Sequence, residues 1–543
     1  MTPHRFKSNW NYFLIVLLLV FCGYSLKGQF LTTQGKEIVD KDNSPILLKG
    51  IGLGGWMLQE PYMMQSIGGA KNQQEYRSKL ELLIGETKTQ QFYDAWLDNF
   101  VTEQDIDSIA SWGFNSVRLP MHYNLFTLPI EDEPDSNTNT WLSKGFDMVD
   151  TLLSWCEANE LYLILDLHAA PGGQGYDQGI SDYDTNKPSL WESEQNKAKT
   201  VALWGELAKR YHDKQWIGGY DLINEVNWDL NTNELKNLYV RITNEIRQYD
   251  TNHILFIEGN WFANDFTGLT PPWDNNMVYS FHKYWNENTT NTIQWVLDMR
   301  NQYDVPLWMG ESGENSNMWF KEAIHLFESN NIGWAWWPWK RIETTVSSLS
   351  ITSNTNYNAV VEYFKGNASA PSASTAYQGL LEIAEASKIE NCEFRKDVID
   401  AMLRQPSSDE LKPFANHSIP GLIHATHYDM GSQGIAYYDT EYGNYSGSGG
   451  TTTWNRGWVF RNDGVDISTS NSGGSNSNGY SVGYVRDREW IKYTVNVLQN
   501  GFYDIESTYA ADDSGGKIQF EMNDIIITPV LSLNSTGSII KDS

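Results

Sequence analysis

Cysteine is scarce in this chain, with three in 543 residues, at positions 22, 156 and 392. So few exclude a disulfide framework and a thiolate metal site, and Cys156 and Cys392 stand alone in helix-like patterns as buried free thiols. Positive charge is also short, with 39 Lys and Arg against 68 Asp and Glu, a net charge of −29. Nucleic acids and anionic membrane surfaces attract Lys/Arg-rich faces, so neither is expected as a partner. No apolar run beyond Phe21 is long enough to cross a bilayer. No Gly-x-Gly-x-x-Gly turn follows the first strand-like run, which argues against a dinucleotide-binding sheet. The histidines lack a ligand spacing such as His-Glu-x-x-His, so no catalytic metal or other cofactor is expected.

What is present is aromatic. Trp, Tyr and Phe make up 13% of the residues, and only 20% are charged, enough apolar material for a large core. Most of the 23 Trp and 29 Tyr serve that core, yet such a composition also suits stacking on uncharged polymers such as polysaccharides. At the N-terminus, Arg5 and Lys7 precede the apolar run Tyr12–Phe21, and small or polar residues follow to Gln29. This is the pattern of a secretory signal over residues 1–28, with cleavage after Ser25 or Gly28; a retained anchor is the alternative. The mature protein is expected to be secreted, periplasmic or at the cell surface, and monomeric.

Through the middle of the chain, strand-like runs alternate with amphipathic helices. The runs are Ile46–Leu53, Asn115–Leu119, Leu161–Leu167, Gly219–Asn224, His253–Glu258, Met277–His282, Val305–Gly310 and Ile332–Trp337. The helical patterns between them include Thr102–Trp112, Leu142–Asn159, Trp191–Tyr211, Asn233–Tyr249, Asn291–Tyr303 and Met318–Ser329. Eight strands alternating with helices specify an α/β fold, a closed (β/α)8 TIM barrel over residues 29–415. Asn367–Ala376 reads as a long loop after the eighth strand, and Ala376–Leu403 as the closing helical region. Residues 416–543 turn to short alternating runs with a Ser/Gly/Asn-rich tract and no helix, an all-β sandwich of jelly-roll type.

In a barrel the reacting groups sit at the C-terminal ends of the strands. Those ends carry Arg118, His168, Asn224 with Glu225, His282 with Tyr284, Glu311 and Trp337. Any one of them alone has an ordinary structural explanation; the set at the correct ends of one barrel does not. Two carboxylates flanked by a cation, imidazoles, an amide, a phenol and an indole are what glycosidic cleavage needs. One carboxyl protonates the leaving oxygen, the other attacks or activates water, and an aromatic floor holds the ring.

Phe114-Asn-Ser-Val-Arg-Leu-Pro120, Leu222-Ile-Asn-Glu225, Phe281-His-Lys-Tyr284, Gly310-Glu-Ser-Gly313 and Gly333-Trp-Ala-Trp-Trp-Pro-Trp-Lys340 resemble the successive signatures of glycoside hydrolase family 5, over about residues 35–410. Asp166-Leu-His-Ala-Ala-Pro-Gly-Gly173 resembles its exo-β-glucanase-like branches. The resemblance implies a retaining mechanism with Glu225 as acid/base and Glu311 as nucleophile. It implies that Arg118 and Tyr284 keep the nucleophile ionised, that Asn224 binds the sugar 2-hydroxyl, that Trp337 floors the subsite, and that His168 and His282 line the pocket. Val226 departs from the family's usual Pro. The substrate implied is a β-glucan-like polysaccharide or oligosaccharide, with β-mannan or another hemicellulose as the alternative. A non-catalytic polysaccharide-binding protein and a metalloenzyme on the same barrel are the competing classes. On electrostatic grounds Arg118 should depress the pKa of Glu311, and Glu225 should sit higher.

Ile419-Pro-Gly-Leu-Ile-His-Ala425, Gly434-Ile-Ala-Tyr-Tyr-Asp439, Gly464-Val-Asp-Ile467, Tyr480-Ser-Val-Gly-Tyr-Val485 and Glu489-Trp-Ile-Lys-Tyr-Thr-Val495 resemble carbohydrate-binding module family 6. The resemblance makes Tyr484 a stacking aromatic and Trp490 its neighbour. His424 and Thr426 replace the Glu residues that help that family bind a structural calcium. The chain stops at Thr536-Gly-Ser-Ile-Ile where the family continues with a Trp and further strands, so a truncated module is expected, with sugar binding weakened or lost.

Overall fold

The computed structural model describes residues 30–135, 138–231, 233–445, 454–470 and 476–537. The expected signal segment 1–28 lies outside these described residues. Eight parallel strands close into a barrel: β1 (Lys49–Gly52), β2 (Ser116–His122), β3 (Tyr162–Ala169), β4 (Ile217–Asp221), β5 (Ile254–Glu258), β6 (Met277–His282), β7 (Leu307–Gly313) and β8 (Gly333–Trp337), with β8 paired to both β7 and β1. The strands read as unbroken apolar runs because both faces are covered, one by the barrel interior and the other by helices. The lower interior holds Tyr162, Ile164, Ile254, Phe256, Val278 and Trp308, and Leu31 and Ile38 of the N-terminal hairpin (Thr32–Gln34, Glu37–Val39) pack into the same cluster. The hairpin thereby stoppers one end of the barrel and leaves the other for the site.

The helices between strands follow the sequence periodicity. Glu103–Trp112 starts at Thr102, which forms a reciprocal capping box with Asp105. The buried Asp105 carboxylate also receives the Trp339 indole N–H at 2.9 Å and pairs with the buried Lys340, tying the exit of β8 to this helix. Two helices that periodicity did not reveal, Gln73–Ile84 and Glu86–Phe100, fill the connection from β1 to the capped helix. Their few apolar residues are spread among Gln, Lys, Glu and Thr, which masks the buried stripe. The segment after β8 also differs from expectation. It contains a helix, Thr355–Phe364, packed on a second, Ala373–Ala386, with residues 365–372 as the short link between them; a third helix, Lys396–Leu403, follows a strand at Glu393–Phe394.

The C-terminal region is strand-rich. Its strands join in pairs, including His417–Ile419 with Val495–Val497, Tyr437–Tyr438 with Trp490–Ile491, and Ile467–Thr469 with Tyr480–Val482. Tyr428, Ala436, Tyr437, Val465 and Ile467 form a small core there. This region is bonded to the barrel through a buried polar seam just beyond β7. Asn317 Nδ2 donates to Asp397 at 2.8 Å and to Asp463 at 2.9 Å, and the Asn317 N–H donates to the Asn462 carbonyl at 2.9 Å. Asn315 Nδ2 donates to the Asn444 carbonyl, and Asn462 Nδ2 returns a bond to the Asn315 carbonyl, both at 2.8 Å. Arg461 pairs with Asp463 at 2.6 Å, so the seam carries a cation against its two acids.

Deleting the Asn317 amide removes the donor that bridges two buried carboxylates, leaving Asp397 with the Asn462 N–H and Asp463 with Arg461. Asn317→Ala is expected to lower the unfolding free energy by about 2–3 kcal/mol, read by urea denaturation followed by Trp fluorescence. An unchanged stability would mean that the seam contributes nothing.

Candidate active site

The strand ends bring the expected barrel residues into one cleft of about 1130 Å³, whose lining includes His168, Glu225, His282, Tyr284, Glu311 and Trp337. Arg118 on β2 lies beneath it, completely enclosed. Its Nη1 donates to Glu311 Oε2 at 2.8 Å, its Nη2 to Asn224 Oδ1 and Glu258 Oε1 at 2.9 Å each, and its Nε to Asp221 at 3.0 Å; Asp166 lies 3.2 Å from Nη2. One guanidinium therefore orients a carboxylate from each of β3, β4, β5 and β7. The second oxygen of Glu311 accepts the Tyr284 hydroxyl at 2.8 Å.

Glu225 stands four residues beyond the end of β4, with a backbone φ of +39°, in the left-handed region that costs a non-glycine residue about 1 kcal/mol or more. Neighbouring bonds hold it there. The Asn224 N–H donates to the Leu167 carbonyl at 3.1 Å, Gln174 Nε2 donates to the Asn224 carbonyl at 2.9 Å, and the Glu225 N–H donates to Glu258 Oε2 at 2.7 Å. The Glu225 side chain meets His282 Nδ1 at 2.7 Å, and His282 Nε2 lies 3.3 Å from Glu258 Oε1. Oxygen atoms of Glu225 and Glu311 and a ring nitrogen of His282 all lie within 4.8 Å of one another.

The floor and wall are aromatic. Trp337 stacks flat against His168, ring centres 5.3 Å apart and planes 3° from parallel, and its indole N–H donates to the Tyr62 hydroxyl at 2.6 Å. Only glycine fits under that ring: a Cβ on Gly54 would fall 2.2 Å from an indole carbon. His168 Nδ1 bonds Asp166 at 2.7 Å, and its Nε2 lies 3.8 Å from Glu60.

Burial dominates the protonation of these groups. It pushes Glu311 above the usual carboxylate range, with the charge of Glu225 adding to it, and His282, Arg118 and His168 pull down without prevailing. Arg118 does pull Glu311 down, as expected, but burial and the charge of Glu225 outweigh it, so the net shift is upward. The guanidinium also pairs with Asp166, Asp221 and Glu258. Burial alone would lower His282, but Glu258 and Glu225 raise it well above the histidine range. Burial likewise opposes His168, but Asp166 overcomes it and His168 is pushed up to about 10. Burial raises Glu60 to about 7 against the pull of His168. Glu225, His282 and Glu311 are close enough to share a cation, but His282 would first have to lose the proton that Glu258 and Glu225 stabilise.

Glu60, Tyr62, Asp166, Asp221 and Glu258 are site residues that the sequence reading passed over. Glu258 closes the run His253–Glu258, so the strand-end rule already pointed to it. Asp166 precedes His168 by two, on the same face of β3. Glu60 and Tyr62 lie in the turn after β1, where no strand end marks them. In the C-terminal region Tyr484 is 55% exposed with Arg456 over its ring at 5.4 Å, and Trp490, opposite Tyr438, is half-buried under Lys492. His424 packs edge-on against His427, and Thr426 Oγ1 accepts from Asn478, so these two positions do not offer the carboxylate oxygens that a calcium site needs.

Residues 76–342 match the family model described as cellulase (glycosyl hydrolase family 5), and residues 459–540 match that of carbohydrate binding module (family 6). A beta-xylosidase of Phanerodontia chrysosporium is 36% identical over 258 residues, covering 47% of this chain and 52% of the relative. The chain thus spans about half the length of that relative. Endoglucanase C of Acetivibrio thermocellus is 26% identical over 316 residues, 47% of this chain and 88% of the relative. Among solved structures, the catalytic domain of Thermobifida fusca endoglucanase Cel5A aligns with a TM-score of 0.40 at 17% identity, covering 62% of this chain and 96% of that one.

A folded-state histidine raised above its unfolded value stabilises most at pH below the unfolded value, and loses that contribution as pH climbs through the raised one. His168 is accordingly expected to remain an imidazolium at pH 8 by NMR titration, and to titrate clearly lower in Asp166→Asn. A neutral ring at pH 8 in the unsubstituted protein would contradict the Asp166–His168 assignment.

Proposed function

We propose that this protein, whose residues 76–342 match the model of the cellulase family (glycosyl hydrolase family 5), is a secreted retaining glycoside hydrolase that cleaves β-glycosidic bonds of a β-glucan-like polysaccharide or oligosaccharide. Glu225 is the acid/base and Glu311 the nucleophile. The observation that carries this reading is the approach of the two side chains, with carboxylate oxygens within 4.8 Å. Retention places the carboxyl groups about 5–5.5 Å apart, whereas inversion needs about 6.5–9.5 Å to admit a water between them.

In this reading the roles follow from the contacts. Arg118 and Tyr284 each bond one oxygen of Glu311, which fixes the carboxylate for in-line attack on the anomeric carbon. Glu225, whose carboxyl meets His282 Nδ1 at 2.7 Å, gives its proton to the leaving oxygen. After attack, Glu225 takes the proton from a water that releases the sugar from Glu311. Asn224, oriented by Arg118, supplies an amide to the 2-hydroxyl, and Trp337 the apolar face under the ring. No metal or other cofactor takes part. Tyr484 and Trp490 are the residues through which the C-terminal region would touch sugar. The protein acts as a monomer outside the cell on a neutral substrate. Glucan, mannan and xylan oligosaccharides belong on the same screening panel.

The test is stereochemical. Proton NMR of the first product is expected to show the β anomer before mutarotation, and Glu311→Ala to abolish turnover; α product first would overturn retention. A second expectation concerns pH. Because Glu311 is raised, the acid limb of kcat/KM should lie above the usual carboxylate range, with activity lost as pH falls through it. Tyr284→Phe removes one donor to the ionised form, so it should move that limb further up and lower kcat/KM by about 10–100-fold.

A further inference from the structure

Glu258 takes no part in the roles just described, yet it is fully buried at the end of β5 and touches three groups that do. Its Oε2 accepts the Glu225 backbone N–H at 2.7 Å. Its Oε1 accepts from Arg118 Nη2 at 2.9 Å and lies 3.3 Å from His282 Nε2, on the far side of the ring from Glu225. Its own backbone is braced, since the Tyr239 hydroxyl donates to the Glu258 carbonyl at 3.0 Å.

We propose that Glu258 is the positioning residue of the acid/base: it pins the left-handed backbone of Glu225 and aims the His282 imidazole at the Glu225 carboxyl. This rests on the reading of Glu225 as acid/base. Geometry supports the assignment twice. The Glu225 side chain leaves a backbone whose N–H ends on Glu258, so a change at Glu258 rotates the carboxyl relative to the leaving oxygen. The His282 ring, in turn, lies between two carboxylates, hydrogen-bonded to Glu225 through Nδ1 and held at Nε2 by the charge of Glu258 3.3 Å away. Burial opposes ionisation of Glu258, but His282, Arg118 and the Glu225 N–H overcome it and lower its pKa, so it presents two acceptor oxygens. An amide offers one acceptor and turns a donor toward either the Glu225 N–H or the Arg118 guanidinium. Glu258→Gln therefore breaks one of the two contacts while leaving volume almost unchanged.

The experiment separates a failure of proton delivery from general damage. Wild type, Glu258→Gln and Glu258→Asp are assayed on phenyl and 2,4-dinitrophenyl glycosides of whichever sugar the wild type turns over. Dinitrophenolate leaves without a proton and phenolate does not. Both variants are expected to lose at least tenfold more kcat/KM on the phenyl glycoside than on the dinitrophenyl glycoside, with far-UV circular dichroism retained. Equal losses on the two substrates, or no loss, would overturn the proposal. Glu258→Asp keeps the charge but withdraws it by one methylene, so it carries the test if the amide variant does not fold. Glu225→Ala is run beside them. If it lacks the same leaving-group dependence, the acid/base reading of Glu225 fails first, and the outcome is distinct from a failure confined to Glu258.

Discussion

A guanidinium shut away from water at the mouth of the barrel needs charge around it, and Arg118 has four carboxylates, Asp166, Asp221, Glu258 and Glu311, within 3.2 Å. Uncompensated, either sign would be expensive to bury. Four acids overshoot one base, and the surplus is met by imidazoles: His168 against Asp166, His282 between Glu225 and Glu258, each with its proton stabilised by the acids. Protonation also takes up part of the excess, since burial and the neighbouring Glu258 drive the Asp221 carboxyl far above its ordinary range. The arrangement is thus a single charge cluster, and its members come from strands that meet only once the barrel closes. Position of the two central glutamates and closure of the fold are two descriptions of one constraint.

The aromatic side of the cleft obeys a different rule, that of close packing. Trp337 can lie flat on His168 only because Gly54 has no side chain beneath it, and Tyr62 accepts its N–H at the edge. Charge fixes the carboxylates from below; shape fixes the ring surface from the side. The cleft between them is walled at the strand ends by the segments that follow β1, β3, β5 and β6.

Much of this was legible in the sequence, for identifiable reasons. Parallel strands buried on both faces read as apolar runs, and a barrel places its chemistry at their ends, so Arg118, His168, Glu225, His282, Glu311 and Trp337 could be picked out before any coordinates. The residues missed were hidden by geometry. Glu60 and Tyr62 reach the site from a turn, and Asp221 and Asp166 lie one layer beneath it, where sequence position gives no sign of depth. The net effect on Glu311 was also out of reach. Distance to Arg118 suggested a lowered pKa, but the burial of Glu311 and the nearness of Glu225 that outweigh it appear only when the strands are side by side. The helices Gln73–Ile84 and Glu86–Phe100 escaped because their buried stripe is sparse among polar residues.

The seam past β7 bears on how the two parts of the chain work together. Asn315 and Asn317, a few residues downstream of Glu311, are gripped by Asn444, Asn462 and Asp463, so the strand-rich region is bolted to the loop that leaves Glu311. It cannot swing on a leash to sample distant surface. Its face keeps one bearing and one offset to the cleft, as paper is kept to a blade in a guillotine frame.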